Sequence, residues 1–299
     1  MEELNSPLAA GLLLIAIAAS LGLWACLFAH WRRGRRVLPR QMRRPVPWGG
    51  REAIGVFLIH LMTLAAMSQI FSQLVPTPSA EGPEETTHFA IRLLLGEHNP
   101  WAIAWAVMAV VLITPLAEEF VYRLVIQGWL ESTEPLLRRR FSSLRRLPGV
   151  LPLLFSAGLF AFLHARGASP RIDSTGLLLL LTGMALGNLL VVLSGVCWLR
   201  FGSGATWADL GWEPRRILGD VRLGLLGYLA ALAPVFLVQW IALCLLPEDV
   251  APDPAGIFIF ALALGWLYQR THRLTPSIVC HMALNAQTVL LILLAVWAG

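Results

Sequence analysis

Three short clusters of polar residues interrupt otherwise apolar stretches, and they are the residue types that hydrolyse amides. The first is Leu116-Ala117-Glu118-Glu119-Phe120-Val121-Tyr122-Arg123, with two adjacent carboxylates. The second is His164, at the end of an apolar run beginning near Phe155. The third is His281, with Asn285 one helical turn on. His60, in another apolar run, stands apart from these and reads as a packing histidine. A carboxylate buried in apolar surroundings is costly and is retained where it works. A glutamate can deprotonate water directly or across a bound metal. Imidazole binds metal or moves protons, and a neutral amide donor stabilises an oxyanion.

The spacing assigns expected roles. On a helix Glu118 and Glu119 diverge by about 100°, so they serve different ends. Glu119 and Arg123 stand four residues apart and can pair. That pair holds Glu119 ionised and leaves Glu118 free to face a cavity as a general base. His281 and Asn285 share one helical face. Each cluster also has a bland reading: an ion-pair node at a kink, an interfacial histidine, or asparagine joining helices.

The elements that must hold these groups are membrane helices. The chain of 299 residues is 57% hydrophobic and 14% charged, against about 25% charged in a soluble domain. Mean hydropathy is +0.68. Apolar runs of roughly 18 to 25 residues suit a hydrocarbon core about 30 Å thick. The expected architecture is all-α, a polytopic transmembrane bundle of about eight spans in one domain covering 1–299. The spans are expected near Pro7–Ala29, Glu52–Val75, Pro100–Leu130, Val150–Ala165, Thr175–Leu199, Val221–Leu246, Ala255–Gln269 and from Pro276 onward. The third is too long for a straight crossing, and Pro115 should kink it.

Basic clusters at Arg32–Arg51 and Arg138–Arg146 alternate with the acidic loops around Glu81, Glu84 and Glu85 and around Pro247–Pro254. By the positive-inside rule the basic loops are cytoplasmic and both termini are not. The start of the chain, with Glu2 and Glu3, reads as an anchor rather than a cleaved signal.

Composition excludes several classes. There is no lysine, hence no Ser-Lys dyad, Schiff-base lysine or P-loop. No glycine-rich nucleotide loop occurs, and the arginine clusters between apolar runs do not read as a nucleic-acid surface. The expected partners are the bilayer and a peptide or membrane-protein substrate, with no nucleic acid and no nucleotide. The four cysteines lie in apolar segments without a CxxC pair, so neither disulfides nor a thiolate metal site is expected.

At Glu118-Glu119-Phe120-Val121-Tyr122-Arg123, Phe160-Ala161-Phe162-Leu163-His164 and His281-Met282-Ala283-Leu284-Asn285 the sequence resembles the CAAX-processing and bacteriocin-processing (CPBP, Abi) family of intramembrane proteases. The family pattern is EExxxR, FxxxH and HxxxN on separate helices. The resemblance covers about 100–170 and 255–290. It implies that Glu118 acts on water and that Glu119 and Arg123 hold its geometry. His164 would position the water or bind metal, and His281 with Asn285 would bind the substrate carbonyl or complete a metal site. Glu118, His164 and His281 fit an open zinc site and a metal-free site equally. One departure is the interval from His164 to His281, where two extra spans, about 171–250, read as an insert. A non-catalytic immunity or scaffold protein and a transporter are the competing readings. The expected location is the bacterial inner membrane.

Overall fold

The computed structural model describes residues 7–35, 45–74, 93–94, 99–140, 148–164, 174–246 and 253–298. The expected basic residues Arg36, Arg40, Arg43, Arg44, Arg145 and Arg146 lie outside the described residues. So do the acidic loop at Glu81, Glu84 and Glu85 and most of the loop after Leu246.

All regular structure among the described residues is helical. The helices are α1 (Pro7–Arg32), α2 (Gly50–Leu74), α3 (100–140), α4 (Val150–His164), α5 (Ser174–Cys197), α6 (Ile217–Leu245), α7 (Asp253–Thr271) and α8 (Leu274–Ala298). Six helical stretches are long and apolar enough to cross a membrane: Pro7–Arg32, Gly50–Phe71, Pro100–Arg139, Ser174–Gly202, Pro214–Leu245 and Thr275–Leu294. The protein is thus an all-helical integral membrane protein.

Pro115 acts on α3 as its chemistry requires. The helix is continuous but widens into a π-helical turn over Ala109–Ile113, where Thr114 N–H bonds to Ala109 O. In that i to i−5 register the next donor would be residue 115, which as proline has no N–H. The carbonyl left without a donor is Val110 O. It accepts from Asn285 Nδ2 at 2.9 Å, so a side chain of α8 fills the gap. A second π-helical stretch covers Glu119–Gln127, and all of its residues are buried. Such stretches concentrate at functional sites.

Pro234 in α6 repeats the device. It removes the donor that would meet Ala230 O, and Trp24 Nε1 of α1 donates to that carbonyl at 2.8 Å. Ser20, four residues before Trp24, accepts from Ala233 N at 3.1 Å. Apart from Ala9 and Ser20, α1 is not buried, so these two bonds fix where it docks.

Small residues set the close packing of α2 on α5. A Cβ on Gly183 would lie 2.5 Å from Phe71 Cδ2, and one on Gly195 would lie 3.3 Å from Val56 Cγ1 of α2 and 2.6 Å from Phe120 Cε1 of α3. Between membrane helices, contact depends on such small positions because lipid supplies no hydrophobic drive.

Polar bonds set the depth of α4. Gly149 N donates to Glu134 Oε1 at 2.6 Å, and Gln269 Nε2 of α7 donates to Gly149 O at 2.7 Å. The start of α4 therefore lies level with Glu134. From Val150 to His164 the helix rises about 21 Å. From Glu134 back to Glu118, α3 covers a similar length, about 24 Å if purely α-helical. The two antiparallel helices thus bring His164 to the level of Glu118.

Candidate active site

The site is built where α3, α4 and α8 meet. α3 supplies Glu118, Glu119 and Arg123; α4 supplies His164; α8 supplies His281. The structure brings these five together and places Asn285 one turn from His281.

Glu119 and Arg123 form the buried floor. Arg123 Nε lies 3.4 Å from Glu119 Oε2, and both side chains are 0% exposed. Arg123 Nη1 donates to Ser156 Oγ at 2.8 Å, and Ser156 in turn donates to Tyr122 O at 2.9 Å. The guanidinium also sits over the Phe160 ring at 5.2 Å. Ser156, Phe160 and His164 recur every four residues, so one face of α4 serves the site. Sequence reasoning missed Ser156. The signal was that spacing, read backward from His164.

Hydrogen-bond logic fixes both imidazoles. His164 Nδ1 lies 2.7 Å from Phe160 O. A carbonyl only accepts, so Nδ1 carries the proton. Nε2 then faces Glu118 Oε1 at 3.2 Å. One further proton is shared across that contact, carried either by imidazole or by carboxyl. His281 Nδ1 lies 3.0 Å from Glu119 Oε1. With Glu119 ionised against Arg123, that nitrogen is the donor too. His281 Nε2 faces Glu118 Oε2 at 3.6 Å. Each oxygen of Glu118 thus has one imidazole beside it.

Ring packing locks these orientations. Phe160 stacks on His164 with centroids 4.1 Å apart, and Phe260 meets His281 edge-on at 5.5 Å. Exposure rises from Glu119 and Arg123 at 0% to Glu118 at 13% and His164 at 20%. The accessible side of the site is therefore the Glu118–His164 side.

The two glutamates have different partners, Glu119 being paired to arginine and Glu118 to histidine. They nonetheless share His281, which touches both. Asn285 Nδ2 is engaged by Val110 O, so at least one of its two N–H groups serves the helix rather than a reacting carbonyl.

A metal ion at Glu118, His164 and His281 requires three donor atoms turned to one point. Here Glu118 stands between the imidazoles, one on each oxygen. Among the described residues no group of three or more His, Cys, Asp or Glu side chains is arranged to hold a metal ion. The donor set as it stands does not fit zinc.

The family model described as "Type II CAAX prenyl endopeptidase Rce1-like" matches residues 100–210 and 215–287. The matched stretches include every site residue named above and run through most of 171–250. No curated protein and no solved structure is matched. The chain belongs to the Rce1-like type II CAAX prenyl endopeptidase family and is a CPBP-type intramembrane protease.

Proposed function

We propose that the protein is an endopeptidase that hydrolyses a peptide bond inside the membrane by water activated at Glu118, without a metal. The observation that carries this reading is the pairing of Glu118 with two tautomer-fixed imidazoles above a buried Glu119–Arg123 pair. The family supports peptides as the substrate class.

The chemistry follows from the contacts. A water held between ionised Glu118 and a peptide carbonyl gives its proton to the carboxylate as its oxygen bonds to carbon. The carbonyl π electrons move to oxygen and form an oxyanion. On collapse the C=O bond reforms and the C–N bond breaks. The leaving nitrogen takes a proton from Glu118 or from His164. General base catalysis of this kind contributes typically about 10²- to 10⁴-fold. Glu119 keeps His281 in one tautomer, and Phe160 O does the same for His164, so neither ring must reorganise during the reaction.

In the membrane we place both termini on the non-cytoplasmic side, with about eight crossings including the shorter α4 and α7. The arginine-rich loops then face the cytoplasm. A bacterial inner membrane is the proposed location. The stretch 171–250 is proposed to be α5 and α6 added between the second and third motifs.

The test uses purified full-length protein in detergent and an internally quenched peptide ending in farnesyl-cysteine plus three residues. An unprenylated twin is run beside it. Wild type should cleave at least one, and His164→Ala and His281→Ala should each lose it. A wild type that is folded and cleaves neither peptide, nor any member of a peptide library, would favour a non-catalytic membrane partner instead.

A further inference from the structure

His60 lies on α2, outside the stretches matched by the family model. It is 3% exposed, and its Nδ1 is buried with no hydrogen-bond partner among the described residues. Its ring stands edge-on to Tyr122, at 5.9 Å between centroids and 89° between planes. Tyr122 in turn meets Phe160 edge-on at 5.1 Å, and Phe160 is the ring stacked on His164. His60 also interacts electrostatically with both Glu118 and His164. It is a third imidazole at the edge of the site.

The other imidazole nitrogens of the site are engaged, while Arg123 Nε and Nη2 lie buried in the floor without a hydrogen-bond partner among the described residues. His164 uses Nδ1 on Phe160 O and Nε2 on Glu118. His281 uses Nδ1 on Glu119 and turns Nε2 to Glu118. Asn285 spends one of its two N–H groups on Val110 O. Attack on a peptide carbonyl needs a donor for the oxygen that becomes negative. A buried imidazole nitrogen without a partner costs free energy, and such a group calls for an explanation. A purely structural ring at this position would be served as well by phenylalanine, which keeps the edge-on contact with Tyr122 and removes the unpaired nitrogen.

We propose that His60 is a substrate-binding residue of this protease, its imidazole N–H donating a hydrogen bond to the carbonyl oxygen of the peptide bond held beside Glu118. The assignment rests on the protease reading above. Bound peptide completes the hydrogen bonding that the free protein leaves open. As the carbonyl oxygen gains charge the bond strengthens, so the effect falls on turnover more than on ground-state binding.

The experiment compares wild type, His60→Phe and His60→Gln with the farnesylated reporter peptide, and measures thermal unfolding of each in detergent without peptide. Loss of one oxyanion donor lowers kcat about 10²- to 10³-fold, so His60→Phe should fall by about 10²-fold with KM changed far less. His60→Gln keeps an N–H donor and should recover at least tenfold of that loss. Unfolding of His60→Phe without peptide should occur at or above the wild-type temperature, because the variant removes an uncompensated buried nitrogen. A His60→Phe protein that turns over within threefold of wild type overturns the proposal. So does one that unfolds well below wild type without peptide, since that is the behaviour of a packing histidine.

A binding arm separates this inference from the protease reading. The reporter should raise the unfolding temperature of Glu118→Gln by more than that of the Glu118→Gln/His60→Phe double variant. If wild type cleaves nothing while that difference holds, the protease reading fails and the His60 contact stands. Equal shifts in the two proteins overturn the His60 contact whatever the activity.

Discussion

Arg123→Leu should cost more stability than any surface substitution in this protein. Its guanidinium Nε lies 3.4 Å from Glu119 Oε2, and neither side chain is exposed. At an effective dielectric of 20, two unit charges at that separation attract by about 5 kcal/mol. Removing one partner of a buried pair leaves the other charge uncompensated and costs about 3–5 kcal/mol. Glu119→Leu should cost a similar amount. The double variant Glu119→Leu/Arg123→Leu leaves no orphaned charge and should cost far less than the sum. Reversible unfolding in mixed micelles, read as a double-mutant cycle, gives the coupling directly. The double variant should stay inactive despite its recovered fold, because His281 Nδ1 has lost the acceptor that fixes its tautomer. Single variants within about 1 kcal/mol of wild type, or strictly additive ones, would refute the reasoning about the buried floor.

Three further outcomes follow from the same contacts. Asn285→Ala leaves Val110 O without a donor at the Pro115 π turn, and should destabilise the fold by about 1–3 kcal/mol in the same unfolding assay. Trp24→Phe removes the donor from Ala230 O, the carbonyl that Pro234 leaves open. It should loosen α1 by roughly 1 kcal/mol, measured as faster proteolysis after α1, while peptide turnover stays near wild type. Exhaustive treatment with a chelator should leave turnover within about twofold, since Glu118, His164 and His281 do not converge on a metal position; activity lost to chelator and restored by zinc would contradict the donor-set argument.

The motif residues were legible because polar groups in apolar helices stand out. Glu118, Glu119, Arg123, His164 and His281 announced themselves by type alone, and the Glu119–Arg123 pair by its spacing. A disturbance of the helix at Pro115 was also legible, since the missing N–H is a property of the residue. Its form was not: hydrophobic period does not distinguish an α turn from a π turn when every face is apolar. Nor could one chain position reveal that Asn285 would supply the donor Pro115 lacks, because that partnership spans α3 and α8. The level of His164 was not legible either, because the bond between Gly149 and Glu134 that sets the depth of α4 joins two helices. Ser156 was missed because a single serine in an apolar helix is ordinary, and only its bonds to Arg123 and Tyr122 O make it part of the site.

The central claim is that Glu118 activates the water. The most direct test is the turnover of Glu118→Gln on the peptide that wild type cleaves, with folding checked by thermal unfolding. The substitution keeps size and an acceptor oxygen for the His164 contact but cannot take a proton from water. The account predicts a fall in kcat of about 10³-fold or more in a folded protein. Retention of kcat within tenfold of wild type would contradict it and place the base elsewhere.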